Sequence, residues 1–192
     1  MEITQTLYVT DRKDWRDWLK QHHETEKEIW LVYPRKATGK PRIEYNDVVE
    51  EALCFGWIDS KAKKRDHESF YLTFSPRNPK SVWSKINRER AGRMIASGLM
   101  TESGQKMIDL AKQTGTWEAL DEIENLSIPP DLFSLLAGHE KALHNFNAFP
   151  PSSKRLILGW IQQAKRPVTR QQRIEETVRL AAENRKANHP VN

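Results

Sequence analysis

Apolar positions recur along this chain with two different periods, and the change from one to the other divides it. Residues 6–10 alternate as a short strand with Leu7 and Val9 on one side. Asp11 stands where a helix would be capped. Trp15, Trp18 and Leu19 then fall at i, i+3, i+4, with Arg12, Lys13, Asp17 and Lys20 on the wet side. Residues 28–35 form a strand that is apolar at every position from Ile29 to Tyr33, which predicts that both its faces are covered. A second helix over 45–55 turns Val49, Ala52 and Leu53 inward, and Gly56 ends it or permits a close backbone approach. Residues 57–63 and 70–74 read as an antiparallel hairpin around Asp66-His67-Glu68, with Phe70, Leu72 and Phe74 inward. Ser75-Pro76-Arg77-Asn78-Pro79 is a stiff irregular loop. It leads into a helix over 81–97 that Ser81 would cap, with Trp83, Ile86, Arg90 and Met94 along one side.

From Gly98 onward the two-residue period disappears. Helices are predicted over 101–114, closed by Gly115, and over 118–126. One helix runs from Pro130 through Leu132, Leu135 and Leu136 to Phe146. Another covers 154–164, with Leu156, Ile157, Trp160, Ile161 and Ala164 on one face. The last starts at a capping box of Thr169 and Gln172 and turns Ile174, Val178, Ala181 and Ala182 inward. Residues 184–192 read as a frayed tail. The expected fold is therefore α+β. A small mixed or antiparallel sheet with helices, in the order βαβαββα, occupies 1–97, and an all-helical module occupies 98–192.

Composition narrows the function. The 192 residues are 38% hydrophobic and 30% charged, as in globular proteins. The single cysteine, Cys54, excludes an intrachain disulfide and sits in an apolar run as a small buried hydrophobe. The six histidines lack the spacing of a metal site, and neither metal nor cofactor is expected. No run approaches the roughly 18 apolar residues of a membrane span. Met1-Glu2-Ile3-Thr4-Gln5 lacks the basic and apolar regions of a secretory signal, so the expected compartment is the cytoplasm. The net charge of +5 suits an anionic partner, either a small molecule or nucleic acid.

Basic residues concentrate in two segments. One contains Lys61, Lys63, Lys64, Arg65, Arg77 and Arg90; the other contains Arg170 and Arg173. Between them lies an acidic stretch, Glu102 to Asp131, so the basic residues serve either an anion or their acidic neighbours. Arg77, in the stiff loop, is placed to grip a carboxylate or phosphate, with Ser81 and the next helix as further donors, or to brace the loop. Asp59, beside Trp57, is either an acid, base or anchor near Lys61, Arg77 and Arg90 or a structural ion-pair partner. Trp83, Asn87 and Arg90 share a helix side as a pocket wall or as core with satisfied polar groups. Arg170 and Arg173 open a helix, where positive charge opposes the macrodipole and needs a partner.

Two motifs carry a likeness. Ala52 to Ser60 (ALCFGWIDS) with Phe74-Ser75-Pro76-Arg77 and residues 81–87 (SVWSKIN) is the first, and Ala164 to Ile174 (AKRPVTRQQRI) with Glu176-Thr177-Val178 is the second. Together they resemble the YdeI/OmpD-associated family of bacteriocin-protection proteins. The resemblance implies a bacterial stress-protection role against antimicrobial peptides and a link to an outer-membrane porin. The family has been suggested to be periplasmic, and the likeness brings no catalytic residues. The reading that follows is a non-enzymatic binding protein that engages an anion through the Arg77–Arg90 region. The alternatives are nucleic-acid binding through Lys63, Lys64, Arg65, Arg170 and Arg173, or an enzyme of unspecified reaction at Asp59, Arg77 and Arg90.

Overall fold

In the computed structural model, which describes residues 5–189, Asp11 is the switch from strand to helix. The strand before it, β1 (Thr6–Leu7), is shorter than expected. The Asp11 carboxylate accepts the Asp14 amide at 2.9 Å and starts α1 (Arg12–His22). The apolar run forms β2 (Ile29–Pro34), in which Ile29, Leu31 and Tyr33 face the core and Trp30 is buried on the other side. α2 (Tyr45–Cys54) follows. Then come β3 (Trp57–Lys64) and β4 (Ser69–Pro76), joined by a turn in which Asp66 Oδ1 accepts the Glu68 and Ser69 amides.

The sheet is mixed, in the order β1-β2-β4-β3. β1 runs parallel to β2, and both other pairings are antiparallel. β4 therefore takes the centre, with Ile29 opposite Phe74 and Leu31 opposite Leu72. β3 is left at an edge, where residues 60–64 are exposed and the register slips between Asp59 and Ala62. Trp15 and Leu19 of α1 pack with Val48, Val49, Ala52 and Leu53 of α2 against the Ile29, Leu31, Leu72 and Phe74 side.

β4 continues to Pro76, so part of the expected loop is strand. The next helix, α3 (Lys85–Ala96), starts later than predicted and is capped by Ser84, not Ser81. Ser81 is used in a turn instead: its amide and hydroxyl both donate to the Asn78 carbonyl. Trp83 consequently precedes the helix, and Ile86 faces solvent. α4 (Glu102–Thr114) ends at Gly115 with φ +74°, as predicted. Its Gly104 lies so close to α2 that a Cβ there would sit 2.3 Å from the Cys54 carbonyl oxygen. Gly56, at φ +73°, both turns the chain out of α2 and gives way to Ser103. α4 thus belongs to the first of two compact units, which reaches Ala119, whereas the sequence pattern suggested a division at 97/98.

The unit from Leu120 on is helical: α5 (Asp121–Glu124), α6 (Pro130–Ala137), α7 (Glu140–Ala148), α8 (Pro151–Gln162) and α9 (Pro167–Ala182). The single helix expected over 130–146 is broken at Gly138. Leu136 and Ala142 are six residues apart, about 240° round a continuous helix, and the break brings both into one core with Leu132 and Phe146. In α8 the buried residues are Ile157, Leu158 and Ile161, and Leu156 is exposed. Pro167 starts α9 because its φ is already helical. Thr169 therefore lies inside the first turn and forms no capping box. Ile174, Val178 and Ala181 are buried as predicted, with Thr177 and Leu180 beside them, while Ala182 is half-buried. The expected frayed tail is anchored as far as it is described: Ala187 is buried, and the Arg185 amide donates to the Leu180 carbonyl. Residues 190–192 of that tail and residues 1–4 of the N-terminal stretch lie outside the described residues.

Candidate anion site

β3, β4, α2 and α3 bring the motif residues of the first unit together. Asp59 pairs with Phe74 across the β3–β4 ladder. Its Oδ2 accepts the Tyr45 hydroxyl at 2.5 Å from the start of α2. On α3, Arg90 donates from Nη1 to Asn87 Oδ1 at 2.8 Å and from Nη2 to Asn46 Oδ1 at 2.5 Å. Its guanidinium carbon lies 5.7 Å from the centre of the Tyr45 ring. Arg77 leaves the end of β4 with its amide bonded to the Gly56 carbonyl, and its Nη2 donates to the Val82 carbonyl at 2.6 Å. Its guanidinium stacks on Trp83, 4.0 Å from the ring centre.

The electrostatics of this cluster are lopsided. Arg77 and Arg90 are only 6% and 9% exposed. Their hydrogen-bond acceptors are a backbone carbonyl and two amide oxygens, all neutral. The Nε of each is buried without a partner among the described residues. Burial pushes the Arg77 guanidinium down to about 10, with the Asp59 charge opposing. Burial also pushes the Tyr45 phenol up to about 12, reinforced by its bond to Asp59 and by that carboxylate's charge, with Arg90 opposing. Two buried guanidiniums are therefore bonded to neutral oxygens, and the Asp59 carboxylate, whose charge reaches Arg77, is itself occupied by a phenol.

The other predicted residues have different places. Trp57 is core, and its Nε1 donates to the His23 carbonyl at 3.0 Å. Trp83 is core as well, but serves as the platform under Arg77 and packs on Trp117. Lys61, Lys63 and Lys64 are exposed along edge strand β3. Arg65 lies over the Tyr71 ring at 5.9 Å. Arg170 donates to both carboxylate oxygens of Asp131, at 2.6 and 3.0 Å, and Arg173 donates to the Trp160 carbonyl and stacks on that indole. The acidic middle thus supplies Arg170 with its partner.

Sequence reasoning passed over Tyr45 and Asn46, and also a second charged cluster. Glu51, 1% exposed, accepts Arg12 Nε at 2.5 Å and Arg16 Nη1 at 2.6 Å. Glu50 pairs with Arg93 at 2.7 Å and lies 3.4 Å from Arg12, which also reaches Asp47 at 2.9 Å. The usable signal was Arg12 and Arg16 at i, i+4 on α1, matching the acidic residues 47, 50 and 51 of α2. Beside this network the Cys54 thiol is pushed up to about 11 by burial, with Glu51 adding and Arg16 opposing, so it is a poor nucleophile. Among the described residues, no group of three His, Cys, Asp or Glu side chains suits a metal ion, and no helix is long and apolar enough to cross a membrane.

Comparison with known families divides the chain much as its fold does. Residues 7–107 match the family described as Domain of unknown function (DUF8412). Residues 125–184 match the family described as Bacteriocin-protection, YdeI or OmpD-Associated, so the likeness seen in the sequence holds at the level of that domain. No curated protein and no solved structure matches the chain.

Proposed function

We propose, for a chain that belongs to the DUF8412 family and carries a bacteriocin-protection, YdeI or OmpD-associated domain after it, a protective role exercised by binding an anion at Arg77 and Arg90. The observation that carries this reading is that Arg77 and Arg90 are buried and donate to neutral oxygens. A carboxylate or phosphate supplies the missing negative charge and suits the flat donor edge of a guanidinium. Trp83 and Tyr45 hold the two cations by their ring faces, and Asn46 and Asn87 fix the plane of Arg90. The ligand then meets donors already in position, which lowers the ordering cost of binding.

Thermal unfolding with inorganic phosphate, sulfate or succinate tests the reading. A ligand at many times its Kd raises the unfolding midpoint by several degrees. Arg77→Met and Arg90→Met should each remove that rise. The absence of a rise with all three anions, or an equal rise in the double variant, rejects the site. A second reading, nucleic-acid binding, draws on the exposed Lys61, Lys63 and Lys64 of edge strand β3. It requires labelled DNA or RNA to bind at low salt and to be released as salt rises. Arg170 and Arg173 are already engaged within their own unit and lend it little.

A further inference from the structure

The sheet face turned away from α1 and α2 carries a cavity that neither charged cluster uses. Val32 pairs with Tyr71 and Tyr71 with Lys63, so these three side chains share one row across that face. A cavity of about 260 Å³ opens on it, and the strand order sets its walls. Val32 and Pro34 of β2 and Ser69 of β4 form the floor. Tyr8, just past β1, stands on one side, and Arg65, in the turn after β3, stands on the other. Lys40, Asp66 and Glu68 complete the lining.

Tyr8 is 47% exposed, yet its hydroxyl donates to the Pro41 carbonyl at 2.6 Å, which holds the ring in one orientation. The Arg65 guanidinium, stacked on Tyr71, offers a second flat surface. The charges of the lining cancel. Lys40 pairs with Glu68, and Arg65 Nε lies 3.7 Å from Asp66 Oδ2. A free phosphate therefore gains little inside the cavity, whereas a flat uncharged ring with polar edges suits the apolar floor and the aromatic wall. Unlike the lining, the surroundings are basic. Lys61, Lys63 and Lys64 are exposed along edge strand β3. The loop after β2, tied to the hairpin turn by the Arg35 amide on the Glu68 carbonyl at 2.8 Å, adds exposed Lys36. A neutral slot for a ring, bordered by cations, matches the alternation of base and phosphate in a nucleic-acid strand.

We propose that this face binds single-stranded nucleic acid, with one base seated in the cavity against Tyr8 and the flanking phosphates on Lys36, Lys61, Lys63 and Lys64. A base inside a duplex is stacked and paired and cannot enter, whereas the bases of a single strand splay outward. The volume lies below the roughly 300–1,000 Å³ of sites that enclose a whole small molecule, and it fits one base of a longer chain. The site rests on the nucleic-acid reading of β3 and uses neither Arg77 nor Arg90. To the lysines it adds a place for the base, and with it a preference for single strands.

The test is fluorescence anisotropy of the full chain with a short labelled single strand, DNA or RNA, and with the same sequence as a duplex, at low salt. The single strand should bind about 10-fold tighter than the duplex, or more. Tyr8→Ala should weaken the single strand by about 10-fold, the scale of one lost base stack, and leave both duplex binding and the salt dependence unchanged. Tyr8→Trp should recover most of that loss, which a tyrosine needed only for its bond to Pro41 would not allow. Lys61→Gln combined with Lys63→Gln should weaken both forms and flatten the salt dependence. Equal binding of strand and duplex overturns the base site, as does a Tyr8→Ala chain that binds like the wild type. A loss confined to the lysine variant would then leave the nucleic-acid reading standing on β3 alone. No binding of either form at low salt removes the site and that reading together.

Discussion

The first unit holds two clusters of arginines that solve the same problem in opposite ways. Arg12, Arg16 and Arg93 meet Asp47, Glu50 and Glu51, so three cations face three anions and the network closes on itself. Arg77 and Arg90 meet aromatic faces, amide oxygens and a carbonyl, and the Asp59 charge reaches Arg77. Removing a charge from water costs several kcal/mol unless opposite charge or hydrogen bonds compensate. A closed network is compensated by the chain itself. An open one gains most from an anion brought in from outside, which is why the two clusters receive different roles.

The sharpest way to break this contrast is to remove one partner from each side. Glu51→Gln should cost about 3 kcal/mol in urea denaturation, at the lower end for a broken buried pair because Arg12 and Arg16 are about one-third exposed. Arg90→Met should cost less than about 1 kcal/mol, because it replaces a buried charge bonded to neutral amide oxygens with an apolar side chain. Equal losses in the two variants would erase the distinction.

A smaller effect reports on the open cluster from within. Tyr45 titrates at about 12 instead of the usual 10, so through pH 10–12 the folded chain keeps a proton that the unfolded chain releases. The stability tied to it is complete below pH 10 and is lost as pH rises through 12. Arg77, held at about 10 in the fold, acts in the opposite sense over the same range, and the phenol must therefore be followed directly. Ultraviolet titration of the wild type minus Tyr45→Phe should place the phenolate step near 12, and Asp59→Asn should move it down. A step at 10 in the wild type would mean that Tyr45 is not held by Asp59.

The smallest effect belongs to an exposed pair. Arg170 holds the Asp131 carboxyl below its usual range, but both side chains reach solvent. Arg170→Gln should cost only about 0.5 kcal/mol at low salt, and less as salt rises. A loss as large as that of Glu51→Gln would show that burial is not what separates these pairs.

Much of the architecture could be read along the chain because its signals are local. Asp11 caps α1, Gly115 closes α4 with a positive φ, and the Asp66 turn joins a true hairpin. Misplaced boundaries came from rival local signals of similar strength. Ser81 and Ser84 are both good caps, and the choice fell to Ser84 because Asn78 had drawn Ser81 into a turn. Thr169 and Gln172 spell a capping box, but Pro167 had already begun the helix. Asp59, Arg77 and Arg90 stand out along the chain; Tyr45, which donates to Asp59, and Asn46, which accepts from Arg90, do not.

The sequence by itself determined the α+β order, most of the inward faces and the motif that supplies Asp59, Arg77, Trp83 and Arg90. These follow from periodicity and from side-chain to backbone bonds a few residues apart. Only the tertiary structure decided that Glu50 and Glu51 lie inside, that Tyr8, Lys40 and Arg65 line one cavity, and that the arginines of one unit form one closed and one open cluster. A charged side chain can lie in water or in the core with equal ease as far as its own helix is concerned. Which place it takes depends on whether a distant segment presents the opposite charge at the right height, and no local pattern records that.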